Sequence, residues 1–289
     1  HRRGWRAVAH KQLLPSYDVF DERRYFRPGT GPNLLQLPNG QRLGLTICED
    51  LWVDDTLQRE RLAGPDPIEQ LIPEQPDVVI NLAASPFDAD KPLLRQKLAA
   101  TAAHRLNCPV VYLNQVGGND ELVFDGSSFV MSASGEPVLE LPCCCDQVSL
   151  WDSEADPARP HRSPDDPLDR LFRALVLGVR DYARKCGFQQ ALLGLSGGID
   201  SGLVAVIATA ALGADQASTL LMPSPWSSDG SIDDAVALAT RLGLKTTTLP
   251  IRPLMDGFDT TLNPALGSDP SGVTAENLQS RIRGTLLMA

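Results

Sequence analysis

The stretch from Trp151 to Pro167 constrains this chain most. It carries Pro157, Pro160, Pro164 and Pro167 among Asp152, Glu154, Asp156, Asp165 and Asp166. Proline fixes φ and lacks a backbone donor, so such a run propagates neither a helix nor a central strand. It reads as a linker over 151–167, and the 289 residues read as two domains, 1–150 and 168–289. Before the linker, residues 43–48, 77–82 and 109–114 are short apolar runs that predict buried strands. Residues 91–106 carry an amphipathic helical pattern, and strand–helix–strand in that order predicts a layered α/β domain. Residues 127–141 predict a strand, a turn at Ser134-Gly135 and another strand.

After the linker the alternation resumes. Helices are predicted over 168–186, 202–212 and 229–242, and strands over 190–195, 217–222 and 245–250. A Pro/Gly-rich stretch to 272 predicts a loop, and Thr274 is placed to cap a last helix. The chain begins at His1 and stops at Ala289 inside an apolar helical pattern, so both ends read as cuts.

Charge and cysteine content exclude several function classes. The formal net charge is -10, from 26 basic and 36 acidic side chains, which argues against broad binding of nucleic acid or an anionic membrane. No run approaches the roughly 18 apolar residues of a membrane span. Nor does an apolar segment of a secretory signal follow His1-Arg2-Arg3-Gly4-Trp5. Six cysteines in 289 residues are too few for a disulfide scaffold, and a reducing cytoplasm fits them. The Cys143-Cys144-Cys145 run lacks zinc-ligand spacing and reads as reduced thiols near a strand end.

Two segments carry chemistry. The first is Gly194-Leu195-Ser196-Gly197-Gly198-Ile199-Asp200-Ser201, between a predicted strand and a helix. Its glycines let the backbone approach an anion, and the helix N-terminus presents free N–H groups. No lysine precedes Ser201, so this is not a Walker A loop. Asp200 stands where that lysine would be. A carboxylate beside phosphates needs a cation between them, which makes Asp200 a candidate Mg²⁺ ligand. The alternative is an ordinary Gly-rich turn with Asp and Ser as helix caps. The second segment is Thr46-Ile47-Cys48-Glu49-Asp50, which ends a strand in a cysteine. A lone strand cysteine is more often a small buried hydrophobe than a nucleophile.

Taken with their neighbours, both segments resemble known families. The Ser-Gly-Gly-Ile-Asp-Ser loop is similar to that of the PP-loop ATP pyrophosphatases. Met222-Pro223-Ser224-Pro225-Trp226-Ser227-Ser228 and Ala275-Glu276-Asn277 through Gly284 narrow the resemblance to NAD synthetases, which usually have tyrosine where Trp226 stands. Lys11-Gln12-Leu13-Leu14-Pro15-Ser16-Tyr17 and Phe124-Asp125-Gly126-Ser127 resemble the nitrilase superfamily, and Asn81 through Phe87 with Lys91 resembles the glutamine-holding segment of NAD-synthetase glutaminase domains. The order of the two parts resembles glutamine-dependent NAD synthetases. That resemblance implies a partial nitrilase-like α-β-β-α sandwich followed by a Rossmann-like parallel-sheet domain truncated at its C-terminus.

The same resemblance implies Cys48 as nucleophile, Lys11 as its catalytic lysine, and Tyr17, Ser85 and Lys91 as glutamine-binding residues. It implies ATP on Gly194–Ser201, Mg²⁺ on Asp200 and deamido-NAD at Asn277. A glutamate upstream of Lys11 is implied as general base, and a homo-oligomer as the full-length assembly. Asp18 stands where the family usually has glycine. The activity implied is amidation of deamido-NAD to NAD, with ATP split to AMP and pyrophosphate and ammonia drawn from glutamine. The rivals are a nucleotide-binding fragment without activity, an isolated carbon–nitrogen hydrolase and another PP-loop amide-forming ligase. With both ends read as cuts, residues 1–289 alone are expected to be inactive.

Overall fold

The computed structural model of the chain describes residues 7–57, 62–154, 166–267 and 271–289. The chain divides into two compact units, His1–Ala174 and Leu175–Ala289. Most of the predicted linker, residues 155–165, lies outside the described residues.

The first unit is built on a six-stranded mixed sheet. Its strands are β1 (Leu34–Gln36), β2 (Arg42–Ile47), β3 (Val78–Ala83), β4 (Val110–Asn114), β7 (Phe129–Met131) and β8 (Pro137–Glu140), adjacent in that order. The central strands β2, β3 and β4 run parallel, and the outer pairings are antiparallel. A separate hairpin pairs β5 (Val116–Asn119) with β6 (Leu122–Asp125). Sequence periodicity did not reveal it, because Gly117 and Gly118 interrupt the apolar pattern. The short helices α1 (Glu22–Tyr25) and α2 (Pro67–Leu71) flank the sheet segments.

Helix α3 (Lys91–Leu106) has the predicted bounds. Pro92 sits in its first turn, where a missing N–H costs nothing, and Asn107 closes it in the left-handed region at φ 50°. Leu98, Ala102 and Leu106 recur every fourth residue and join Val79, Val110 and Tyr112 in the core.

In the second unit, β9 (Ala191–Gly194), β10 (Ala217–Leu221) and β11 (Lys245–Thr248) form a parallel sheet with β10 central. Helix α4 (Pro167–Cys186), whose first residues belong to the first unit and the rest to the second, begins where Asp166 accepts the amide of Leu168. Helix α5 spans Ile199–Leu212, three residues longer at its start than the alanine pattern predicted, so Asp200 and Ser201 belong to its first turn. Helix α6 (Asp229–Leu242) matches its predicted bounds, capped by the Ser228 hydroxyl and closed by Gly243 at φ 70°.

Two expectations fail here. Residues 252–266, predicted as loop, form helix α7 (Arg252–Leu266). Pro253 lies in its first turn, where proline starts helices, and Ile251 and Met255 bury against Met222 and Ile282. Thr274 caps nothing: helix α8 spans Val273–Met288 with Gly272 before it and no side-chain cap. Among the described residues, no helix is long and apolar enough to cross a membrane.

Candidate functional site

Cys48 stands where β2 ends and turns into a short 3-10 helix, Cys48–Leu51. Its φ is +51°, a left-handed conformation uncommon for a side chain larger than glycine's and characteristic of sharp strand exits. The Asp50 carboxylate holds the turn. It is fully buried and accepts the amides of Gln12 at 2.9 Å, Leu13 at 2.8 Å and Ile47 at 3.1 Å. One side chain thus ties the Lys11 segment to the Cys48 turn. Sequence reading missed Asp50, although an acid two residues past a strand-end cysteine is the signal for such a cap. Asn81 adds a second tie, donating to Thr46 Oγ1 at 2.9 Å and to the Cys48 carbonyl at 3.3 Å.

These ties bring Lys11, Glu22, Cys48 and Glu49 onto one cavity of ≈ 360 Å³, walled also by Phe20, Ala84 and Pro86. Lys11 Nζ donates to both oxygens of Glu22, at 2.7 and 2.8 Å. The Glu22 amide donates to the Pro15 carbonyl at 3.0 Å, folding the intervening loop back onto Lys11. Within that loop Asp18 has φ +53°, which explains why glycine suits the position and why aspartate, tolerant of this region, also serves. Tyr17 donates its hydroxyl to Glu49 at 2.6 Å.

Burial dominates the electrostatics. The Cys48 thiol is pushed up to about 11, by burial first and the Glu49 carboxylate second. Lys11 and the Ala84 amide pull it down without offsetting that rise. Lys11 thus favours the thiolate in direction and loses in the balance. Glu49 is also raised, by burial, against the Tyr17 hydrogen bond and the charges of Lys11 and Lys91.

The other predicted glutamine-binding residues are placed differently. Ser85 is buried, with its Oγ accepting from Arg95 Nε at 3.2 Å, and does not wall the cavity. Lys91 opens α3 and reaches Glu49 by charge rather than by a hydrogen bond.

In the second unit the predicted phosphate loop, Gly194–Ser201, joins β9 to α5. Gly197 has φ +82°, and a Cβ there would collide with the backbone carbonyl of Ser231, so only glycine fits. The hydroxyls of Ser196 and Ser201 lie 3.0 Å apart, and Ser196 Oγ accepts the Gly198 amide at 3.3 Å. Ser201 Oγ accepts the Ser196 amide at 3.2 Å. A cavity of ≈ 240 Å³ opens beside the loop, lined by Gly194, Leu195, Ser196, Met222, Ser227 and Arg283 among others. The predicted loop thus meets the Met222–Ser231 segment at one pocket.

Ile199 and Asp200 are exposed at the start of α5, with Asp200 free to face a ligand on the loop. Trp226 is also exposed, and its amide donates to Ser224 Oγ at 3.3 Å. Asn277 is exposed on α8 and does not line the pocket. Arg283 does: it donates to the Met222 carbonyl at 3.2 Å, and burial lowers its affinity for its proton. Among the described residues, no group of three or more His, Cys, Asp and Glu side chains is placed to hold a metal. The sulfurs of Cys143 and Cys144 lie 3.3 Å apart.

Known proteins match both halves. Residues 6–143 match the carbon-nitrogen hydrolase family model, and residues 171–289 match the NAD synthase model. A glutamine-dependent NAD(+) synthetase of Synechocystis sp. is 46% identical over 97% of this chain and 51% of its own length. One from Acinetobacter baylyi is 39% identical over 97% of this chain and 50% of its own. The solved glutamine-dependent NAD+ synthetase of Acinetobacter baumannii, in complex with ADP, superposes with a TM-score of 0.84 at 36% identity, covering 96% of this chain and 51% of that one. The chain spans about half the length of the curated relatives it matches. A segment similar to the carbon-nitrogen hydrolases is thus followed by one similar to the NAD synthases, and along 97% of its length the chain is similar to a glutamine-dependent NAD(+) synthetase.

Proposed function

We propose that this chain supplies two sites of one reaction, the amidation of deamido-NAD to NAD with glutamine as nitrogen donor. The observation that carries this reading is the pairing, in one chain, of a thiol–ammonium cavity at Cys48 and Lys11 with a phosphate loop at Gly194–Ser201. In this reading residues 1–150 form the glutaminase domain, 151–167 the linker and 168–289 the nucleotide domain.

In the first site, Cys48 Sγ attacks the carboxamide carbon of glutamine. The thiol is neutral at rest, so its proton must leave as the sulfur attacks. The tetrahedral oxyanion lies against Lys11, which Glu22 holds in direction. Collapse breaks the C–N bond as the departing nitrogen takes up the proton given up by the thiol, so ammonia leaves and a thioester remains. Water then hydrolyses the thioester to glutamate and restores the thiol. Glu49, held by Tyr17, offers a carboxylate to the α-ammonium of glutamine.

In the second site, the nicotinate carboxylate of deamido-NAD attacks the α-phosphorus of ATP, and pyrophosphate departs. Ammonia then displaces AMP from the adenylate and forms the amide. The loop amides and the hydroxyls of Ser196 and Ser201 exchange their internal hydrogen bonds for phosphate oxygens. Asp200, exposed in the first turn of α5, suits a Mg²⁺ that takes its remaining ligands from phosphates, and such an ion would neutralise the departing pyrophosphate. Arg283 and Asn277 are assigned to the substrate side of this site. Six cysteines in 289 residues, too few for a disulfide scaffold, are in keeping with a cytoplasmic enzyme.

The test is a donor switch. In a polypeptide of the matched relatives' length, Cys48→Ala should abolish NAD formation from deamido-NAD, Mg·ATP and glutamine, while formation from high ammonium persists. Glutamine-driven synthesis surviving in Cys48→Ala would overturn the assignment.

A further inference from the structure

Among the described residues Arg95 is the largest fully buried side chain, and its ion pair with Asp125 is shut off from solvent on both sides. Nη1 donates to Asp125 Oδ1 at 2.8 Å. Nη2 donates to the Ser85 carbonyl and the Pro86 carbonyl, both at 2.9 Å, and Nε donates to Ser85 Oγ at 3.2 Å. Burying a guanidinium is costly. An apolar pair of similar volume often holds a fold as well or better, so stability alone is a weak reason for this arrangement.

What the guanidinium does is fix a stretch of chain with no ladder of its own. Beyond the end of β3, residues 84–86 have no regular secondary structure. Their polar groups are held by side chains instead: Asn114 accepts the Ser85 amide at 2.8 Å and donates to the Ser85 carbonyl at 3.2 Å, beside the two Arg95 bonds. Ala84 and Pro86 of this stretch form part of the cavity wall beside the thiol, and the Ala84 amide reaches Cys48.

We infer that Arg95, paired with Asp125, is a positioning residue that sets the Ala84–Pro86 wall of the Cys48 cavity and so determines how tightly a glutamine side chain is held. The inference rests on the reading of that cavity as a glutamine site. Arg95 touches no substrate; it acts through the two carbonyls it holds. Lysine lacks the planar fork that reaches Asp125 and both carbonyls together, so it keeps the charge and loses the geometry.

The experiment follows alkylation of Cys48 by iodoacetamide in the intact chain, read by peptide mass spectrometry across a glutamine titration. The variants are Arg95→Lys and the double change Arg95→Met/Asp125→Leu, each checked by thermal unfolding. Positioning predicts that both fold and that Cys48 still alkylates. It also predicts that half-protection needs on the order of ten- to a hundredfold more glutamine than in the unaltered chain. Unchanged protection in the double variant, whose apolar pair keeps the fold, would overturn the inference and leave a purely structural pair. If one variant fails to fold, the other decides. Failure of both counts against positioning, since the pair would then be needed for the fold itself. If glutamine fails to protect the unaltered chain while Cys48 alkylates normally, the glutamine reading itself falls.

Discussion

The thiol cavity and the phosphate loop are held in opposite ways. The contacts that fix the cavity cross the sequence: Lys11 to Glu22, Tyr17 to Glu49, the amides of residues 12 and 13 to Asp50, Asn81 to the Cys48 carbonyl. Several of their polar groups are buried. The hydroxyl contacts of the loop link residues no more than five apart, and they are exposed. A site made of distant residues needs buried polar anchors, and each anchor is expensive to remove. A loop that turns on its own glycines needs only local bonds, which a phosphate can replace on arrival.

The largest break in that comparison is expected at Asp50. Asp50→Ala strands three amides in the interior and should destabilise the first unit by about 3 kcal/mol, measured by urea unfolding. Asp50→Asn keeps one acceptor oxygen and should lose roughly half as much. In the loop, Gly197→Ala puts a side chain at φ +82° against the Ser231 carbonyl, and nucleotide affinity by calorimetry should fall by about 2 kcal/mol. A smaller effect sharpens the electrostatic half. With the Cys48 thiol at about 11, its alkylation rate should climb about tenfold per pH unit from pH 7 to 10, because the thiolate fraction rises until the pKa is reached. Glu49→Gln should move that profile to lower pH and Lys11→Met to higher pH. The smallest effect belongs to Ser196→Ala, whose exposed bonds should be worth about 0.5 kcal/mol in thermal unfolding.

The same contrast explains what could be read from the sequence. The phosphate loop was legible because strand, glycines and helix start lie within a dozen residues, and each enforces its own geometry. Helices α3 and α6 were legible to their ends because Asn107 and Gly243 close them in the left-handed region. Helix α7 was hidden by Pro253 and Pro264, which read as breakers until one sees that Pro253 occupies a first turn. In the cavity, Cys48 and Lys11 stood out by motif, while Asp50, Glu22 and Arg95 did not. Their roles depend on what lies opposite them in space. Arg95 left one trace: a cation three residues before Leu98 on the buried face of α3 demands a partner. Nothing local in the sequence points to Asp125 as that partner.

The independence of the two sites is the central claim, and Asp200→Asn tests it most directly. Pyrophosphate release from Mg·ATP with deamido-NAD and hydrolysis of glutamine are measured on the same preparation of a polypeptide of the matched relatives' length. The predicted result is sharp loss of pyrophosphate release with glutamine hydrolysis largely retained. An ordinary rate of pyrophosphate release in that variant would contradict the role of Asp200, and loss of both activities together would contradict the separation of the sites.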